Sequence, residues 1–499
     1  MKRWFGLRAL TLAAGALGLT ACTVGPDYQR PKLSQGAGYA PQPLPRQTSS
    51  ADAPGGAAQR FEAGADIPAQ WWTLYHSASL DALIDEALAA NPDIAAAQAA
   101  LRQAREISYA DESGLFPQVG GQASATRQKA GAAPAFNVTS ASLNVGYSPD
   151  VFGGVRRQIE SSQAQAEFQR FELEATYLTL TANVVNSAVT LASLRDQIAA
   201  TEAIEKIEHD ALEVVRRQYL LGAVPQSDLL AQEAALAQTR ASLPPLQKDL
   251  AQARNQLMTY LGRYPSQDAG ESFELASLAL PEDLPVSLPS NLVEQRPDVR
   301  AAEAELHAAS AEIGVAVAAQ LPQFSITAQL GQVSGAGIWS LAGAVTQTIF
   351  DAGAAEHRKR AAVAAYDEAE ALYRKAVLLG FQDVANSLRA LEADAQALDA
   401  DAVAERSAKE SLDLAIQQYR LGAIDQVALL NAQTTYETAV LARVRAQAAR
   451  YSDTAALFQA LGGGWWNRND APPPDAHPVR FVLPPISART DPQSWEDRR

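Results

Sequence analysis

The chain has one cysteine, Cys22, among 499 residues, so no disulfide can form within it. Histidine is nearly as scarce: His76, His209, His307, His357 and His477 are dispersed. No His-Glu-x-x-His spacing places two of them on one helix face, which removes the common zinc-hydrolase arrangement. A Gly-x-Ser-x-Gly elbow and a Walker-type phosphate loop are also missing. With no catalytic constellation present, the chain is not read as an enzyme. Basic clusters are absent, and 41 Lys and Arg against 56 Asp and Glu leave a formal charge of −15. Phosphate backbones are bound by grouped Lys and Arg, so nucleic acid is not expected as a partner. Aromatics make up only 7% of the residues while apolar types reach 47%, much of it alanine. That balance favours closely packed helices over thick mixed cores.

The N-terminus gives the lone cysteine a purpose. Lys2, Arg3 and Arg8 precede an apolar run from Ala9 to Leu19. Residues 1–21 read as a secretory leader, too short to span a bilayer as a mature helix. Leu19-Thr20-Ala21-Cys22 resembles a bacterial lipobox, which makes Cys22 a lipidation site. An acyl chain there adds roughly 0.8 kcal/mol of membrane affinity per buried CH₂. Thr23, rather than Asp, follows the cysteine, and by analogy with bacterial lipoproteins this favours the outer membrane. Apart from that covalent lipid, no cofactor is expected.

Residues 22–79 read as the anchor and an extended N-terminal segment rich in Pro, Gly, Gln and Ser. From Leu80 to about Ser113 the apolar spacing is helical, with a restart at Asn91-Pro92. Between Pro117 and Ser148 the texture changes. Val138, Ser140, Ser142, Asn144 and Gly146 alternate with Thr139, Ala141, Leu143, Val145 and Tyr147. This predicts a hairpin (residues 117–148) of two strands of about eleven residues. A helical pattern without proline then runs from about Gly153 to Leu221, spanning about 100 Å at roughly 1.5 Å per residue. After a turn reading YLLGAV, Leu236, Leu243, Leu246, Leu250, Leu257 and Leu261 keep coiled-coil spacings. Pro244-Pro245 is expected to kink or break that helix, and Gly262 to cap it.

After a connector (263–289) the order repeats. YRLGAI at Tyr419–Ile424 matches YLLGAV at Tyr219–Val224, and RPDVRAAEAELHAASAEIG matches NPDIAAAQAALRQAREIS. The chain is therefore a tandem duplication: repeat 1 over 80–262, and repeat 2 over 290–462 with a hairpin at 322–349. A Pro-rich tail (463–499) follows. The roughly 20–50-residue period of solenoids does not fit. Four strands cannot close a membrane barrel, for which about eight is the floor. Two copies would give eight strands, whose interior side chains fill the barrel, whereas three copies give twelve and leave a conduit.

At this point several stretches resemble the outer membrane factor family, the TolC-like exit ducts of efflux pumps, in its lipidated branch. They are CTVGPDYQRP (22–31), WWTLYHSASLDALIDEALAANPDI, EQRPDVRAAEAELHAASAEIGVAVAAQLPQF and the two LGA turns. The family usually has a second Arg where Gln295 stands here. The resemblance implies an α+β membrane protein: a trimeric twelve-stranded outer-membrane β-barrel continued by a long α-helical coiled-coil periplasmic barrel. It implies passive conduction of drugs or other small molecules, received from an inner-membrane efflux transporter through a periplasmic adaptor protein. The partners are thus a homotrimer, the adaptor, the transporter and outer-membrane lipid. Leu221, Gly222, Ala223, Leu421, Gly422 and Ala423 become adaptor-docking tips. Tyr219, Asp228, Tyr419, Asp425 and Asn431 become candidates for a periplasmic gate. Ala428 and Asn431 stand where some members carry Asp, which weakens the case for an acidic ring. The alternative is a lipid-anchored periplasmic coiled-coil scaffold or adaptor without a pore, which leaves the two inserted hairpins unexplained.

Overall fold

A computed structural model describes residues 23–32, 38–41, 45–129, 131 and 134–468. Cys22, the leader and the tail beyond residue 468 lie outside the described residues. In chain order come β1 (Arg60–Ala63), α1 (Ala78–Ala90), α2 (Pro92–Glu112), β2 (Gln118–Gln128), β3 (Phe136–Tyr147), α3 (Gly154–Leu220) and α4 (Gln226–Tyr260). Then follow β4 (Asp283–Val286), α5 (Pro289–Gln295), α6 (Pro297–Ala318), β5 (Gln323–Val333), β6 (Ala336–Thr346), α7 (Ala354–Arg420) and α8 (Gln426–Ala460). The helices α3 and α7 have 67 residues each, and α4 and α8 have 35. At roughly 1.5 Å per residue the long pair spans about 100 Å. Towards the sheet, α3 packs against α2 and α6; towards its far end it packs against α4 and α8.

The four long strands form one antiparallel sheet in the order β2-β3-β5-β6, so the two hairpins join through β3 and β5. Cross-strand register sorts its side chains by face. Val119, Leu143, Val145, Phe324, Ile326, Leu330, Trp339, Leu341 and Val345 share one face, with pairs Val119↔Val145, Leu143↔Leu330, Leu330↔Trp339 and Phe324↔Val345. Gln122, Ser124, Ser140, Ser142, Asn144, Gln329 and Ser340 share the other. Both faces are largely open, and Trp339 and Leu341 are 77% and 70% exposed. The outer edges of β2 and β6 have no strand partner among the described residues.

The main core lies at mid-height, where the N-terminal segment meets both repeats. Trp71 stacks on Phe458 with centroids 5.2 Å apart, and the Tyr75 hydroxyl donates to the Tyr451 carbonyl at 2.8 Å. The fully buried Arg450 donates to the carbonyls of Gly55 (2.7 Å) and Ala57 (2.9 Å) and to Gln59 Oε1 (3.2 Å). Its counterpart in repeat 1 is Leu250, which packs against the apolar core instead. Thus at this pair of equivalent positions repeat 2 alone supplies a guanidinium to the N-terminal segment.

The X-Pro-Asp triplets have a structural role in both repeats. Asn91 accepts from the Asp93 and Ile94 N–H groups and donates to the Tyr260 carbonyl at 2.9 Å. Arg296 donates to the Ala460 carbonyl at 2.9 Å and pairs with Asp298 (2.7 Å) and Asp383 (3.0 Å). Tyr260 and Ala460 are the last residues of α4 and α8. Each triplet therefore pins the start of a sheet-directed helix to the end of a returning one. Gly262 and Gly462 follow those ends with φ of +68° and +95°, and a Cβ on either would strike the carbonyl of Ala90 or Gln295. Glycine is required there for both conformation and space.

The break allowed for at the proline pair does not occur. Pro244 and Pro245 lie inside α4, which continues through them from Gln226 to Tyr260. Both rings are exposed, as are Arg240 and Ala241, whose carbonyls lose their helical donors. Those exposed positions leave the two carbonyls open to solvent, and the buried Leu236 and Leu257 keep the two halves of the helix seated.

Two outcomes are expected. Arg296→Ala removes a guanidinium that serves three elements and lies over Gly380; it should destabilise the fold by about 2 kcal/mol, read as a lower melting temperature. Asp394 on α7 is pushed from 3.8 up to about 7, by burial first and then by a hydrogen bond and charge repulsion from Asp453 on α8. The folded state therefore holds a proton that the unfolded chain has already lost. Stability should fall as pH rises from about 4 to about 7 and then level off. Asp394→Asn should flatten that slope in thermal melts.

Candidate tip and gate region

Both helical hairpins reverse by the same backbone device. In the first, Gly222 N–H bonds the Tyr219 carbonyl (2.9 Å) and Ala223 N–H the Gln218 carbonyl (2.8 Å). In the second, Gly422 and Ala423 make the equivalent bonds at 3.0 and 2.9 Å. The glycines have φ of +72° and +71°, and a Cβ on either would meet nothing. Left-handed backbone alone fixes their identity. The turns project Leu221 and Leu421, each 84% exposed.

The next residues differ. Pro225 precedes α4 without a side-chain cap, whereas the Asp425 carboxylate accepts from Ala428 N–H at 2.9 Å and caps α8. Asp425 is thus engaged locally as a helix cap. Asp228 sits half-buried in the first turn of α4, where the helix dipole favours its charge, and accepts from the Ser227 hydroxyl at 3.2 Å.

The two tip tyrosines occupy different environments. Tyr219 is 37% exposed, while Tyr419 is 7% exposed between the hairpins. Its hydroxyl donates to Gln218 Oε1 at 3.0 Å. Burial raises the Tyr419 pKa, and the Asp228 charge raises it further. The fold therefore brings Tyr419, Asp228 and Gln218 together and leaves Tyr219 and Asn431 outside the cluster, Asn431 being exposed. An apolar cluster of Val215, Leu412, Ala415 and Leu429 surrounds Tyr419.

Sequence reasoning missed the amides beside this cluster. Gln426 donates to Gln232 Oε1 at 2.6 Å, and Gln232 donates to the Glu208 carbonyl at 3.3 Å, with all three residues buried. Gln433, seven residues after Gln426, is also buried. Glutamines at seven-residue spacing in a core frame are the signal that marks them.

Nearer the sheet, the α2, α3 and α6 layer has a cavity of about 570 Å³ on one side. Gln103, Asp111, Gln158, Gln165, Glu305 and Glu312 supply its polar lining, small Ala and Ser residues supply much of the rest, and no basic side chain contributes. Among the described residues no His, Cys, Asp and Glu group is arranged to hold a metal. No described helix is long and apolar enough to cross a membrane.

These features are those of a family already known as a class. The model of the outer membrane efflux protein family matches residues 83–263 and 288–463, and the chain belongs to that family. It is an outer membrane channel of efflux pumps and not an enzyme. The chain is 30% identical over 420 residues to the pyoverdine export outer membrane protein OpmQ of Pseudomonas aeruginosa, covering 79% of this chain and 87% of that one. It is 28% identical over 476 residues to the antibiotic efflux pump outer membrane protein ArpC of Pseudomonas putida, covering 92% and 96%. The solved outer-membrane channel OprN superposes with a TM-score of 0.79 at 28% identity, covering 89% of this chain and all of that one.

The repeat-equivalent tyrosines supply a test. Tyr419→Phe should weaken the hairpin-to-hairpin contact by about 1 kcal/mol, seen as faster hydrogen exchange around Gln218. Tyr219→Phe should leave that exchange unchanged.

Proposed function

We propose that three copies of this chain form one conduit: a twelve-stranded barrel in the outer membrane continued by a periplasmic tunnel of helices. The observation that carries this reading is the four-stranded sheet, apolar on one face, polar on the other and open at both edges. An unpaired backbone group in hydrocarbon costs several kcal/mol, so the edges need further strands. Two copies would make a barrel that its own side chains fill, and three leave a polar lumen. Exposed apolar side chains on α7 (Val363, Leu372, Leu378, Leu379) suit contact with a neighbouring copy. The acidic and amide-lined cavity beneath the sheet suits a wet tunnel wall.

In this reading the channel is passive. Drugs or other small molecules arrive from an inner-membrane transporter through a periplasmic adaptor and leave to the exterior. Relatives named for antibiotic efflux and pyoverdine export support that cargo class. Leu221, Gly222, Ala223, Leu421, Gly422 and Ala423 dock the adaptor; their matched turns and equal leucine exposure support six near-equivalent tips per trimer. Asp228 and Tyr419 carry the gate, while Tyr219 and Asn431 are groups a neighbouring copy would meet. Asp425 contributes as the α8 cap.

A lipid on Cys22 anchors the assembly. Support comes from the next residues: Thr23 packs on Gly153, Val24 N–H bonds the Phe152 carbonyl at 3.1 Å, and buried Arg157 binds the Val24 carbonyl (3.1 Å) and Asp27 (2.7 Å). The chain after the cysteine is thus held where the sheet meets the helices.

The test is particle imaging and planar-bilayer conductance on one purified lipidated sample. Threefold particles with a long stalk and small currents are expected. Monomers without conductance would overturn the channel and favour the scaffold. Cys22→Ser should keep the stalk in particles but lower the membrane-bound fraction in cells.

A further inference from the structure

The contact between the two hairpins contains a buried carboxyl group without a cation. Glu208 on α3 is 3% exposed; it hydrogen-bonds Thr239 of α4, while its Oε2 has no partner. Across the seam stands Glu437 of α8, half-buried. The same seam holds further unmatched polar atoms: both amide atoms of Gln433, one turn from Glu437, and the Oε1 of Gln426. Unpaired buried groups cost free energy and call for a reason.

The groups around Glu208 are all accounted for. On its own helix, Glu205 is held by Arg240 of α4 at 2.7 Å. From α4 come the Thr239 hydroxyl and the Gln232 amide, and from α8 comes the Glu437 charge. On α7, Lys409 lies over the Tyr436 ring at 5.5 Å and near Asp413 at 3.8 Å. Burial raises the Glu208 pKa, the Thr239 bond opposes this in part, and the Glu437 and Glu205 charges raise it further. Burial raises that of Glu437 as well.

We propose that Glu208 and Glu437 form a proton-sensitive contact between the hairpins, which holds them together while a proton is bound there and loosens when the proton leaves to solvent. A packed seam that prefers the neutral acid binds its proton more tightly than hairpins whose carboxyls have reached water. Acid therefore favours the packed seam, and rising pH favours its parting. This rests on the tip-gated channel proposed above: parting the seam releases the Tyr419–Gln218 contact beside it and opens the tunnel end.

The experiment is open probability of the full lipidated protein in planar bilayers, scanned upward from the ordinary glutamate value of 4.5 to pH 8. The wild type should open more as pH rises, by up to about tenfold per pH unit for one linked proton. Glu208→Gln keeps the shape of the neutral acid and should stay mostly closed, with the slope lost; Glu437→Gln should reduce the slope too. Asp394→Asn, which lies within the second hairpin, should alter the pH dependence of melting and leave that of opening intact. Conductance with the same slope in Glu208→Gln and Glu437→Gln as in wild type would overturn the proton contact while leaving the channel standing. No conductance in any variant at any pH would overturn the channel reading, and this inference with it.

Discussion

The unpaired backbone groups along β2 and β6 are the constraint from which the rest of the molecule takes its meaning. In the channel proposed above, the apolar face of the sheet meets lipid and the polar face meets water. Its register achieves that sorting with short, weakly apolar strands, because every second residue is assigned to a face by pairing. Long helices leaving the same sheet then need not be apolar themselves. The alanine-rich, acidic composition that excludes nucleic acid also permits tightly packed rods with a wetted surface.

Duplication supplied two copies of each part, and the structure shows where equivalence was kept and where it was given up. The tip glycines have nearly identical geometry, and both X-Pro-Asp triplets bond the last carbonyl of the returning helix. The chemistry of the pins differs: Asn91 makes a neutral amide bond, while Arg296 adds two carboxylates and reaches α7. At mid-height the copies diverge fully, with Arg450 in one and Leu250 in the other. The tyrosines show the same divergence near the tip, one exposed and one enclosed.

Much of this was legible in the sequence, for physical reasons that can be named. Helical spacing and a glycine forced into left-handed backbone leave periodic or invariant marks, so the long helices and the two turns could be read directly. The hairpins could be read from alternation between residues 138 and 147. The pairing of β3 with β5 could not, because it joins segments that nothing local relates. The proline pair does not break α4, because both rings face solvent and the helix carries on past them to Tyr260. The tip cluster was only half readable. Asp228 and Tyr419 could each be picked out alone, but their meeting depends on how two hairpins dock, and the amides beside them carry no local mark of that docking.

The mid-height core has a consequence for biogenesis. Trp71, Tyr75 and Gln59 find their partners in Phe458, Tyr451 and Arg450, at the other end of the chain. The first segment to be exported must therefore wait for the last helix before it can bury its aromatic side chains. Such sequence-distant contacts fold slowly and leave apolar surface exposed in the interval. Until α8 arrives the N-terminal segment keeps those side chains uncovered, and truncation anywhere before residue 450 leaves it without a seat.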